Sequence, residues 1–116
     1  MIKLKRIYKE PSPADGLRIL VDRLWPRGLT KERAAVDLWL KELAPSTELR
    51  KWFGHDPAKW REFQTRYREE VHDNDEVLQV LKEKVKKNTV TLVYGARDEH
   101  HNEALVLKQI LEYRPK

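Results

Sequence analysis

Arginines, histidines and aromatic residues gather in three short stretches of this sequence, and their types point to anion binding. Val21-Asp-Arg-Leu-Trp-Pro-Arg-Gly28 carries Arg23, Trp25 and Arg27, and Tyr94-Gly-Ala-Arg-Asp-Glu-His-His-Asn102 carries Tyr94, Arg97, His101 and Asn102. Phe53-Gly-His-Asp-Pro57 adds His55. A guanidinium presents a planar fork of donors matched to phosphate or carboxylate. Trp25 or Tyr94 would offer an apolar face, and His101 or His55 a proton carrier. The small residues at 95–98 precede a helix, so backbone N–H groups there could face the same anion. This signal is weaker than a P-loop, having one glycine and no Gly-Lys-Ser/Thr. Asp98 also competes, because a capping carboxylate takes the N–H groups that a ligand would use.

Other chemistries fit less well. With no cysteine there is no disulfide, Fe–S cluster or thiolate nucleophile. His100, His101, Glu103 and the distant pair His55-Asp56 are suitable metal-ligand types, yet no His-x-x-x-His pair sets two of them on one helical face. Neither a metal nor any cofactor is expected. Ser12 lies between prolines and Ser46 at a helix cap, so neither serine occupies a nucleophile elbow. Acid–base chemistry by His55, His101 or Asp22 stays open. Trp60, Phe63 and Tyr67 recur at helical spacing and read as core, not as a base-stacking platform.

The elements that must hold these stretches follow from the apolar pattern. Residues 2–8 alternate apolar with basic, as on a half-exposed edge strand whose lysines discourage further pairing. Residues 17–22 and 89–94 read as central strands. The intervening chain is helical: Thr30 caps a helix through about residue 43, Ser46 caps a short helix that leaves at Gly54, and Asp56-Pro57 opens a third. Asp75 starts a fourth, whose lysines at 82, 84, 86 and 87 suit the negative end of the helix dipole. A last helix is expected over 98–113, with His100 in phase with Ala104, Leu107 and Leu111. The predicted architecture is a single α/β domain over 1–116, with a mainly parallel sheet of about three strands and a long helical insertion between the second and third. Ligands in such sheets bind beyond the carboxyl ends of the strands. Parallel pairing of 17–22 with 89–94 would bring residues 22–28 and 95–102 to one end, where they form a basic cleft.

Charge sharpens and divides this reading. Residues 1–33 hold nine Lys/Arg against four Asp/Glu, whereas the rest of the chain carries fifteen of each sign, so the net +5 lies in the first third. A localised anion site would do this, and so would a nucleic-acid face using Lys3, Lys5, Arg6 and Lys9 on phosphates. The second is the weaker alternative, because no nucleic-acid-reading motif is present. The Lys/Glu richness resembles a heat-adapted surface. No apolar run spans a bilayer and the amino terminus lacks a secretory pattern, so a cytoplasmic protein without membrane partners is expected.

Several ungapped blocks also carry a family resemblance. Gly16-Leu-Arg-Ile-Leu-Val-Asp-Arg-Leu-Trp-Pro-Arg-Gly28, Trp39-Leu-Lys-Glu-Leu-Ala-Pro-Ser46, Leu49-Arg-Lys-Trp-Phe-Gly-His-Asp-Pro57 with Trp60 and Arg66-Tyr67, and Leu92-Val-Tyr-Gly-Ala-Arg-Asp98 with His101-Asn102 resemble the domain of unknown function 488 family, in its small YeaO-like branch. The resemblance implies a small prokaryotic α/β protein and brings no established activity. A related branch carries cysteines where Tyr94 and Asn102 stand, so a thiol-based role is excluded here.

Overall fold

The computed structural model describes residues 1–113. Four strands form one parallel sheet: β1 (Ile2–Arg6), β2 (Leu17–Leu20), β3 (Leu38–Trp39) and β4 (Val90–Tyr94), in the order β1-β4-β2-β3. The apolar strands β2 and β4 are central neighbours, with Leu17 opposite Val90 and Leu20 opposite Val93. The alternating strand β1 takes an edge, as its lysines require. Among the described residues there are five α-helices: α1 (Lys31–Ala34), α2 (Thr47–Phe53), α3 (Trp60–Asp73), α4 (Asp75–Lys87) and α5 (Glu103–Glu112). None is long and apolar enough to cross a membrane.

Two-residue alternation divides the strands between two apolar clusters. Ile19, Val21, Val90, Leu92 and Tyr94 belong to the larger one, against Phe63, Tyr67 and Val71 of α3, Leu78 and Leu81 of α4, and Leu107 of α5. Leu20 and Val93 belong to the smaller one, with Ile7, Ala34, Trp25 and Trp39. The stripe Phe63, Tyr67, Val71 is buried core, and Phe53 stacks on Phe63 with ring centroids 4.4 Å apart. Burying each such aliphatic or aromatic side chain stabilises by about 1.5–3 kcal/mol.

Local caps fix most helix boundaries. Ser46 Oγ accepts the Leu49 N–H (3.1 Å) to start α2, while the Glu70 carboxylate holds the Ser46 N–H and hydroxyl. Gly54 closes α2 in the left-handed region. Asp56 accepts the Ala58 N–H beside Pro57, and a 3₁₀ turn then leads into α3.

Two boundaries differ from the sequence pattern. The helix expected over 30–43 stops at Ala34. Ala35 turns left-handed (φ 49°), the Arg18 guanidinium binds the carbonyls of Ala34 and Ala35, and Asp37 accepts the Arg18 N–H (2.9 Å). The chain is thereby turned to pair Leu38–Trp39 with β2 as a fourth strand. The last helix starts at Glu103, not at residue 98, because Asn102 is its cap and accepts the Leu105 N–H. Asp98 instead accepts the N–H of His100, which lies exposed outside the helix rather than on its buried stripe. Strand 2–8 is shortened to Ile2–Arg6 by a turn in which the Lys9 N–H binds the Arg6 carbonyl.

Candidate functional site

The parallel β2 and β4 discharge their chains at one end of the sheet, where Asp22, Arg23 and Leu24 meet Gly95 and Ala96. The carboxyl end of α2 and the start of α5 close the sides, leaving an open cleft of about 370 Å³. Phe53, Phe63 and Pro45 supply apolar wall, and Arg50, Lys51 and His55 border it from α2 and its exit. That volume is within the range of small-molecule pockets.

Asp22 is the structural centre of this cleft. Its carboxylate accepts the Gly95 N–H (2.8 Å), and its carbonyl accepts the indole N–H of Trp39 (2.7 Å). Glycine at 95 permits the approach, since a Cβ there would stand 2.9 Å from the Asp22 carboxylate oxygen. Glu103, at the first position of α5, lines the same cleft as Asp22. Burial first, and the neighbouring Asp22 charge second, push Glu103 well above the ordinary carboxylate range, against the weaker pull of Arg50. Glu103 is thereby favoured in its neutral form. A first-turn glutamate normally gains from the helix dipole as an anion, and here burial outweighs that gain.

A stability test follows. A carboxyl with a raised folded-state pKa favours the fold below its unfolded value, about 4.3, and loses that contribution as pH rises through the folded value. Glu103→Gln is therefore expected to raise the melting temperature at pH 7 by about 3–6 °C, the equivalent of roughly 1 kcal/mol in a chain of this size. The gain should vanish near pH 4. A variant no more stable than wild type at pH 7 would mean that the pair carries no repulsion.

The expected site residues divide in position. Arg23, His55, His101 and Asn102 line the cleft. Arg23 is anchored by donating to the carbonyls of Pro45 (3.0 Å) and Ala44 (3.3 Å). His101 Nδ1 pairs with the Asp98 carboxylate (2.7 Å), and its ring meets Trp60 edge-on at 5.3 Å. The Asp98 carboxyl is held below its usual range by the His100 N–H first and by His101 second. His55 follows Gly54 with both residues at positive φ, a pair of left-handed steps that turn the chain past the cleft mouth. Asn102 is buried, its amide spent on the α5 cap and on the Asp98 carbonyl (3.0 Å).

Trp25, Arg27, Tyr94 and Arg97 do not line the cleft. Trp25 packs edge-on against Trp39 (5.6 Å) in the smaller cluster, with its N–H on the Leu29 carbonyl, and the Trp25–Pro26 peptide is trans. Arg27 is exposed; its backbone carbonyl accepts the Tyr8 hydroxyl. Tyr94 is core, and burial above all raises its hydroxyl pKa. Arg97 is exposed on the loop after β4. The N–H groups expected to face an anion at 95–98 are partly spent, since that of Gly95 goes to Asp22.

The basic first third is also largely engaged inside the molecule. Lys3 donates to the Ala14 carbonyl, Lys5 pairs with Asp15, Arg6 donates to the Ala96 carbonyl and Lys9 pairs with Glu99. The cleft residues not singled out from sequence are Arg50, Lys51 and the Glu103 carboxyl facing Asp22. A signal existed for Arg50: it lies between inward-facing Leu49 and Phe53 on a helix ending beside His55. For Glu103 the signal was its place directly after the capping Asn102.

The family model described as "Inactive DUF488-N3 subclade" matches residues 1–116. The chain belongs to this family. Similar proteins include Uncharacterized protein Rv3073c of Mycobacterium tuberculosis strain H37Rv, 41% identical over 113 residues that cover 97% of this chain and 95% of the relative. Uncharacterized protein YeaO of Escherichia coli K12 is 43% identical over 106 residues, covering 91% and 92% respectively. No solved structure matches the chain. The DUF488-N3 match spans both strand-end loops and the helical insertion, so the whole cleft lies inside the family domain.

Proposed function

We propose that this protein binds a small anionic molecule, phosphorylated or carboxylated, in the cleft at the carboxyl ends of β2 and β4. The observation that carries the reading is the pair Arg50 and Lys51. Both line the cleft, and neither has a carboxylate within 4.0 Å among the described residues. Cations in a concavity with apolar walls are what an anionic ligand would need. Arg23, already anchored through two carbonyls, leaves further guanidinium donors for the same group. His55 and His101 border the site, and Asn102 fixes the helix start beside it. Holding a ligand without turnover also agrees with the family's description as inactive. A nucleic-acid role is less favoured, because Lys3, Lys5, Arg6 and Lys9 already have intramolecular partners.

The test is a thermal-shift screen against inorganic phosphate, sulfate, sugar phosphates, nucleotides and small carboxylates. A ligand at a hundredfold its Kd stabilises by about 2.7 kcal/mol, which is readily measured. Arg50→Ala is expected to weaken binding at least tenfold, while Arg97→Ala, outside the cleft, leaves it unchanged. No shift with any anion, or a loss on Arg97→Ala alone, would refute the assignment.

A further inference from the structure

We infer that the ligand is a zwitterion, with a positively charged nitrogen set against Asp22 and Glu103 and an anionic group set against Arg50 and Lys51. This inference rests on the anion-binding reading and adds the second charge.

The chain treats its buried acid, Asp15, in one way and the acids of the cleft in another. Asp15, only 5% exposed, is neutralised from two sides, by Arg18 at 2.7 Å and Lys5 at 3.1 Å. Asp22 and Glu103 are treated differently: both line the cleft, and among the described residues no Lys, Arg or His lies within 4.0 Å of either carboxylate. Arg50 is close enough to act on Glu103 through space but does not pair with it. Among the described residues, the hydrogen bond that the Asp22 carboxylate accepts comes from the Gly95 N–H. The cleft thus offers acceptor capacity that a cation would fill.

A plain dianion fits poorly here, because the acid pair would repel it and lose hydration without compensation. An ammonium carries three donors, enough to serve both carboxyls, and its positive charge offsets their repulsion. A metal ion is the weaker occupant, since no cluster of three ligating side chains occurs among the described residues. The cleft, about 370 Å³, lies at the small end of the ligand-pocket range, so both charges must belong to one compact molecule.

Matched probes separate this inference from the reading beneath it. Calorimetric titration of the full chain would compare 2-aminoethyl phosphate with ethyl phosphate, which differ only in the ammonium, alongside ethylamine. The aminated phosphate is expected to bind at least tenfold more tightly than either of the others. Asp22→Asn keeps an oxygen for the Gly95 N–H, and Glu103→Gln keeps the side-chain shape; each should cut that advantage to threefold or less. Equal affinity for the two phosphates would overturn the zwitterion and leave the anion site standing. Ethylamine binding as tightly as 2-aminoethyl phosphate would overturn the anionic half, and binding of none of the probes would overturn both.

Discussion

Arg18→Ala is expected to destabilise the fold by about 3–5 kcal/mol, the usual result of removing one partner from a buried ion pair. Total stabilities run to only about 5–15 kcal/mol, so this one side chain decides whether much of the protein is folded. Arg18 is 3% exposed on β2 and bonds Asp15 (2.7 Å) and the carbonyls of Ala34 (2.8 Å) and Ala35 (3.2 Å). Its loss strands the Asp15 carboxylate in the interior and releases the end of α1, which is what turns the chain toward β3. Burial opposes the Asp15 charge, and the Ser12 N–H, Lys5 and Arg18 together outweigh it, holding the carboxyl below its ordinary range. Urea unfolding followed by tryptophan fluorescence would measure the change. A loss under about 1 kcal/mol would mean that Lys5 and Ser12 suffice. Because a charge left alone is the main cost, Asp15→Asn combined with Arg18→Met should lose less than the sum of the two single changes.

The second large effect is expected from Gly16→Ala. Gly16 has φ 64° and ψ −136°, a conformation that side chains rarely adopt. A Cβ there would stand 2.2 Å from the Thr89 carbonyl oxygen. That oxygen accepts the Leu17 N–H at 2.9 Å, the first rung joining β2 to β4. Relief therefore requires the two central strands to part at their amino ends, and no flexible side chain is available to yield. Backbone strain of about 1–3 kcal/mol and overpacking of about 1–3 kcal/mol act together, so a loss of roughly 3 kcal/mol or more is expected by the same urea measurement. A change below about 1 kcal/mol would show that the turn can open without cost to the sheet.

The same contacts bear on the site. Asp22 reaches Gly95 because β2 and β4 run side by side from Gly16 onward, and α2 faces Glu103 because Ser46 and Glu70 fix its start. Arg6, reaching from the edge strand to the Ala96 carbonyl, holds the loop that forms one wall. The cleft is thus framed by residues that do not themselves line it, Arg6, Gly16, Ser46 and Glu70.

The sequence by itself determined the α/β class, the pairing of two apolar strands, the basic-edged outer strand, and the helices begun by Ser46, by Asp56-Pro57 and by Asp75. These rest on local preferences: alternation for strands, helical spacing for the aromatic stripe, and cap chemistry that acts within one turn. It also set the loops after both strands at one end of the sheet, since parallel neighbours end together. Tertiary structure alone decided the rest. The pattern Val36, Trp39, Leu40, Leu43 suits a helix locally, but Arg18, from a distant strand, binds the carbonyls that would continue it, and β2 gains a partner instead. Likewise no local rule tells which of two nearby arginines turns inward. Arg23 finds the carbonyls of Ala44 and Pro45, whereas Arg27 finds solvent. The charge excess of the first third pointed to a ligand, yet six of its nine cations meet partners inside the molecule, and Arg6 and Lys9 reach as far along the chain as Ala96 and Glu99. The acid pair was hidden for the same reason: Asp22 and Glu103 stand at opposite ends of the sequence, and only the packing of α5 against the sheet brings their charges into conflict.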